Sequence, residues 1–177
     1  MKPSKYETGE ILEGFRLLFS GNEISCVLIG ASMIDKSLED LLSRYFIKGK
    51  TSDKMLSDTG ILGTLRNKAD CSYALGLVDK KVYQNIIWAL EVRNVFGHHH
   101  LKCSFANEKI LKISNDNPHG LIDSSNADLF YSVLEKAGID LTEDSENLKE
   151  FRCIAFEIVK IVQNKKKEVD AKKNNTE

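Results

Sequence analysis

Residues 22–47 read N-E-I-S-C-V-L-I-G-A-S-M-I-D-K-S-L-E-D-L-L-S-R-Y-F-I, and this stretch decides the fold. Val27, Ala31, Ile34, Leu38, Leu41 and Tyr45 recur at spacings of four and three. Such a row lines one side of an α-helix and forms a bundle seam. The other side carries Lys36, Glu39, Asp40, Ser43 and Arg44. Asp40 and Arg44 stand four apart, close enough for a weak surface contact. Ser20, three residues before Glu23, makes a capping-box pattern for the start of this helix.

Outward from this helix the pattern stays helical. A helix over about 7–19 is expected from Ile11, Leu12, Phe15, Leu18 and Phe19 on one face. Residues 48–60 read as a loop with room for a short helical turn. A further helix covers about 61–75 and stops at Gly76, a C-terminal cap signal. Asp79 caps the next helix, about 80–97. Its stripe is Val82, Ile86, Ala89, Arg93 and Phe96. Residues 98–125 form a long connection with the turn cluster N-D-N-P-H-G, and a span of that length is either functional or hides a short element such as 105–113. His119 within that cluster reads as exposed. Helices over about 126–137 and 145–168 follow. Leu148, Phe151, Ala155, Ile158 and Val162 give the last one its seam. The two prolines, Pro3 and Pro118, interrupt none of these segments. The expected architecture is all-α: one helical-bundle domain of about six helices over residues 1–168, with a flexible charged tail at 169–177.

The bulk numbers suit such a domain. The 177 residues can bury a sizeable core. Hydrophobic residues make up 42% and charged ones 29%, with a formal net charge of −1. That balance argues against whole-molecule attraction to nucleic acid or anionic lipid. No apolar run approaches the roughly 18–20 residues that span a bilayer, and the N-terminus lacks the apolar core of a secretion signal. A cytoplasmic protein with no membrane partner is expected. Cys26, Cys71, Cys103 and Cys153 form no C-x-x-C pair, and read as small buried hydrophobes in a reducing compartment.

The chemistry-bearing stretch is 91–100, E-V-R-N-V-F-G-H-H-H. Arg93 shares the row of Ile86, Ala89 and Phe96. A buried arginine needs partners, with Glu39, Asp40 or Asp70 as structural candidates. Alternatively the helix end faces a cleft or a subunit interface, where Arg93 meets an anion. His98 stands five residues on, about 140° around an ideal helix. A helix broken at Gly97 would let it swing back towards Arg93. An imidazole beside a guanidinium is an RNA-cleaving pair in principle. The histidine moves a proton at the ribose 2′-hydroxyl or the leaving oxygen, and the arginine stabilises the phosphate's charge. Asn94 would orient either group. Two such pairs facing each other across a dimer make a fuller apparatus. Three consecutive histidines do not converge on one ion, since successive helical side chains point about 100° apart. No metal and no other cofactor is expected, and His99 and His100 read as surface residues.

The stretch 62–83, L-G-T-L-R-N-K-A-D-C-S-Y-A-L-G-L-V-D-K-K-V-Y, with 92–98, V-R-N-V-F-G-H, resembles the mannitol operon repressor (MltR-like) family. Residues 26–46 resemble that family's first core helix. The resemblance covers about 22–113 and, more loosely, the whole chain. It implies an all-helical bacterial cytoplasmic regulator without a helix-turn-helix, acting through protein contacts and forming a homodimer. R-N-x-x-x-H also resembles the Arg/His signature of the HEPN superfamily of metal-independent ribonucleases, and on that resemblance Arg93, Asn94 and His98 are the active residues. Gly97 stands where the repressor-like proteins have alanine, and Val95 where an acid is frequent.

Two readings follow. The first is a transcriptional regulator with an unidentified protein partner, in which Arg93, Asn94 and His98 hold helix ends and an interface. The second is a metal-independent endoribonuclease, a toxin or antiviral effector, with RNA as its partner. Such a nuclease needs a positive surface, for which Arg66, Lys68 and Lys102 are the local candidates. Direct specific DNA binding is disfavoured, since no basic recognition helix is visible. Trp88 and Tyr83 read as core aromatics.

Overall fold

The computed structural model describes residues 5–98, 103–115 and 145–174, with isolated positions at 132, 135, 136 and 138. Seven helices lie within these described residues, and no strand does: α1 (Lys5–Ser20), α2 (Glu23–Tyr45), α3 (Lys50–Leu56), α4 (Leu65–Ala74), α5 (Lys80–His98), α6 (Glu108–Asn115) and α7 (Glu146–Asn174). The expected all-α bundle is what forms. Among the described residues no helix is long and apolar enough to cross a membrane.

The seam of α2 is the centre of the molecule. Val27, Ile34, Leu38 and Leu41 are fully buried, packed between α1, α4, α5 and above all α7. Helices α2 and α7 meet closely at Gly30. A Cβ there would sit 2.9 Å from Phe151 Cε1 and 3.2 Å from the Ala155 Cβ. The expected α7 seam, Leu148 through Val162, is buried throughout. An aromatic cluster closes the bundle behind it. Phe105 lies 5.2 Å from Phe96 and 5.9 Å from Phe151, and Trp88 lies 5.7 Å from Phe151, centroid to centroid. Trp88 is buried and Tyr83 half-buried against the core. Cys26, Cys103 and Cys153 are buried and Cys71 partly so, and none of the four is in a disulfide.

Several local expectations are corrected. Tyr45 is 41% exposed, and Leu42 takes the buried place beside Leu41. Leu12 lies 64% exposed, outside the packed face of α1. The N-cap of α2 is Asn22, whose side chain accepts from the Ser25 N–H at 2.9 Å. Ser20 ends α1, its hydroxyl donating to the Arg16 carbonyl. Glu23 is drawn away from the cap because Oε2 accepts the Phe105 N–H. Helix α4 starts at Leu65 behind the Thr64 cap, later than expected. Asp79 caps α5 as expected, accepting from the Val82 N–H at 2.8 Å.

The charged C-terminal segment is helical through Asn174, past the expected end at 168. Long-range contacts hold it. Val169 is buried, Asp170 pairs with Arg44 at 3.8 Å, and Lys166 pairs with Asp40 at 3.6 Å. Arg44 therefore meets Asp170, not Asp40. The short turn expected within 48–60 is α3, and the short element expected near 105–113 is α6. The helix expected at 126–137, His99, His100, Lys102, His119 and residues 175–177 lie outside the described residues, apart from positions 132, 135 and 136.

Candidate functional site

The C-terminal end of α5 lies beside the start of α2. Phe96 near the end of α5 packs at a tilt against Phe105, and the Phe105 N–H in turn donates to Glu23. The two helices run side by side in opposite directions. With the N-terminal end of α4 they enclose an open groove of about 630 Å³. Helix α2 contributes Leu28, Ala31, Ser32 and Asp35, a single helical face. Helix α5 contributes Leu90, Arg93 and Asn94. Gly63 through Arg66 close the third side.

Arg93 lines this groove and is exposed, not buried. The buried row of α5 is Val82, Asn85, Ile86, Ala89, Val92 and Phe96. It steps from 89 through 92 to 96, so position 93 falls one residue off the seam. Among the described residues Arg93 makes no ion pair. Glu39, Asp40 and Asp70, its expected partners, are engaged elsewhere. Its one hydrogen bond there runs from Nη1 to Asn94 Oδ1 at 3.1 Å.

Helix α5 runs unbroken through Gly97 to His98. The break that Gly97 permits does not occur, because the i→i−4 geometry needs nothing of residue 97 that glycine lacks. His98 therefore stays about 140° around the axis from Arg93. It is exposed at the helix end and does not line the groove. The structure brings Arg93 and Asn94 together and leaves His98 apart from them within one chain.

The other expected cations behave differently. Lys68 is 2% exposed. Its ammonium binds both oxygens of Asp35, at 3.0 and 2.9 Å, and Glu39 Oε2 at 3.3 Å. Burial pushes the Glu39 carboxyl up, but Lys36 and Lys68 outweigh it and hold the group below its ordinary value. Arg66 pairs with Asp70 at 3.3 Å. Asp70 also accepts from the Tyr83 hydroxyl at 2.8 Å, and that bond, then burial, holds the tyrosine above its ordinary value. Two of the three expected phosphate-binding cations are thus already neutralised by carboxylates.

The buried arginine is one the sequence pattern did not mark. Arg152 of α7 is 3% exposed. Its Nη2 reaches the Gly21 carbonyl at 2.8 Å and Cys26 Sγ at 3.2 Å. It ties α7 to the α1–α2 turn and is structural. A signal was available: Arg152 directly follows Phe151 on the seam, inside the apolar run F-R-C-I-A-F. Among the described residues no group of three or more His, Cys, Asp or Glu side chains is placed to hold a metal ion.

No family model matches the chain, and no curated protein sequence does. Among solved structures it is similar to a chain in the X-ray structure of the MtlR-HPr complex from Escherichia coli. The TM-score is 0.58 at 13% identity, over 87% of this chain and 96% of that one. A likeness at that identity is one of fold, and the chain has an MtlR-like, all-helical fold.

Proposed function

We propose that this chain is a regulatory protein acting in transcriptional control through contact with another protein, without a helix-turn-helix of its own. The observation that carries the reading is the fold it shares with a chain of the MtlR-HPr complex over nearly the whole of both. The surface supports it. The groove presents Leu28, 44% exposed, beside an arginine with no carboxylate partner among the described residues. The unbroken helix through Gly97 leaves one copy without an assembled Arg–His pair. A net charge of −1 gives no field for long-range capture of nucleic acid.

The test is calorimetric titration of the purified chain with E. coli HPr, beside incubation with RNA in EDTA. The expected result is a saturable complex with HPr and intact RNA. Absence of the complex removes HPr as the partner. RNA cleavage that disappears in both Arg93→Ala and His98→Ala, with the fold retained, overturns the reading in favour of a metal-independent nuclease.

A further inference from the structure

The geometry points to the α2–α4–α5 groove as a docking site for an acidic, apolar helical segment of a protein partner. This inference rests on the protein-contact reading above and names the partner's chemistry.

The charges of the groove select the occupant. Asp35 is bound on both oxygens by Lys68, and Arg66 is paired with Asp70. Arg93 is the lining cation that no carboxylate of the described residues meets. Its neighbour adds to it. A guanidinium has donors only, so Asn94 must turn its oxygen towards Arg93, as the 3.1 Å bond shows. The Asn94 amide N–H groups then remain to face outward. Guanidinium and amide together present donors without an acceptor. A carboxylate supplies the matching acceptors in a charge-assisted contact.

The walls select a polypeptide over a nucleic acid. Leu28 is 44% exposed, and Leu90 and Leu65 line the same groove. An RNA backbone carries a charge at every nucleotide, and the groove offers it a single cation without a carboxylate partner among the described residues, Arg93. A helix with apolar residues on one face and acids on its flank covers the leucines and meets Arg93. The groove's three helical sides, set by α2, α4 and α5, form a seat for such a segment.

The test uses the whole chain and a fluorescein-labelled helical peptide, with leucines along one face and glutamates on the flanks. The control peptide has glutamine at every glutamate. Binding is read by fluorescence anisotropy. The glutamate peptide should bind saturably, about tenfold tighter than the control, which corresponds to about 1.4 kcal/mol. Arg93→Glu should abolish the difference between the peptides. Leu28→Asp should weaken both peptides about tenfold or more. Both residues are exposed, so both variants should keep the wild-type melting temperature.

Equal binding of the two peptides, no saturable binding up to about 1 mM, or an unchanged affinity in Arg93→Glu overturns the proposal. An RNA oligonucleotide that binds more tightly than the peptide and is lost in Arg93→Glu assigns the groove to nucleic acid and overturns it too. A fall from dimer to monomer mass in Leu28→Asp assigns it to a second copy, with the same consequence. An HPr complex that survives Arg93→Glu leaves the protein-contact function standing and moves its surface away from this groove.

Discussion

The Arg152 guanidinium donates to the Gly21 carbonyl at 2.8 Å, joining residues 131 apart in sequence. The contact fixes where α7 sits against the α1–α2 turn. Arg152→Met keeps much of the volume and removes the donor. It should leave the Gly21 carbonyl with the Cys26 thiol alone, at 3.0 Å, and cost about 1–3 kcal/mol. Urea unfolding followed by circular dichroism checks this through a lower midpoint at unchanged slope.

Lys68 is the other buried cation, and its loss should be worse. Lys68→Met strands Asp35 and leaves Glu39 to Lys36 alone; the two carboxylate side chains are 34% and 30% open to water. Removing one member of a buried pair costs several kcal/mol. Partial exposure of the two carboxylates reduces that here to about 2–4 kcal/mol. The same unfolding measurement gives the value, and a change under about 1 kcal/mol would refute the role assigned to Lys68.

The Glu39 carboxyl gives a pH dependence of known sign. Its value in the folded chain lies below the ordinary 4.5. The unfolded chain therefore binds its proton first as pH falls. The stabilisation is fully present above pH 4.5 and is lost as pH falls through the lowered value. Glu39→Gln should flatten the acid side of the stability–pH curve and leave its alkaline side in place. Melting temperatures between neutral pH and about pH 3 test this.

Gly76 ends α4 with φ +66°. The Leu77 N–H bonds the Ser72 carbonyl and the Gly76 N–H bonds the Tyr73 carbonyl, both at 2.9 Å. This is the Schellman arrangement, which favours glycine at the left-handed position. Gly76→Ala should cost about 1–2 kcal/mol through the backbone alone, since an added Cβ meets no atom within 4 Å. Equal stability of variant and wild type would contradict the conformation.

Arg93→Ala and His98→Ala should each change stability by no more than about 0.5 kcal/mol, because both side chains are exposed on the surface of α5. A large loss of stability in either would place it in a structural contact that α5 does not show. Phe105→Ala supplies the contrast. It removes a fully buried ring from between Phe96 and Phe151 and should cost about 3–5 kcal/mol.

The sequence by itself determined the all-helical class and the seams of α2 and α7. Their apolar residues recur at helical spacing, and that periodicity is local information. It also determined the ends of α4 and α5 at Gly76 and Asp79, because a left-handed glycine and a capping carboxylate act within a few residues. Only the tertiary structure decided which arginine is inside. Arg93 and Arg152 each stand one residue past a seam position, Val92 and Phe151, yet one guanidinium is exposed and the other buried. What differs is the neighbour: the α1–α2 turn covers Arg152, and an open groove lies beside Arg93. The tertiary structure likewise decided the path of the C-terminal segment. Its lysines and acids read as a solvated end until Asp40 and Arg44 of α2 lie opposite them. The separation of His98 from Arg93 was also decided there, since glycine permits a break at position 97 without requiring one.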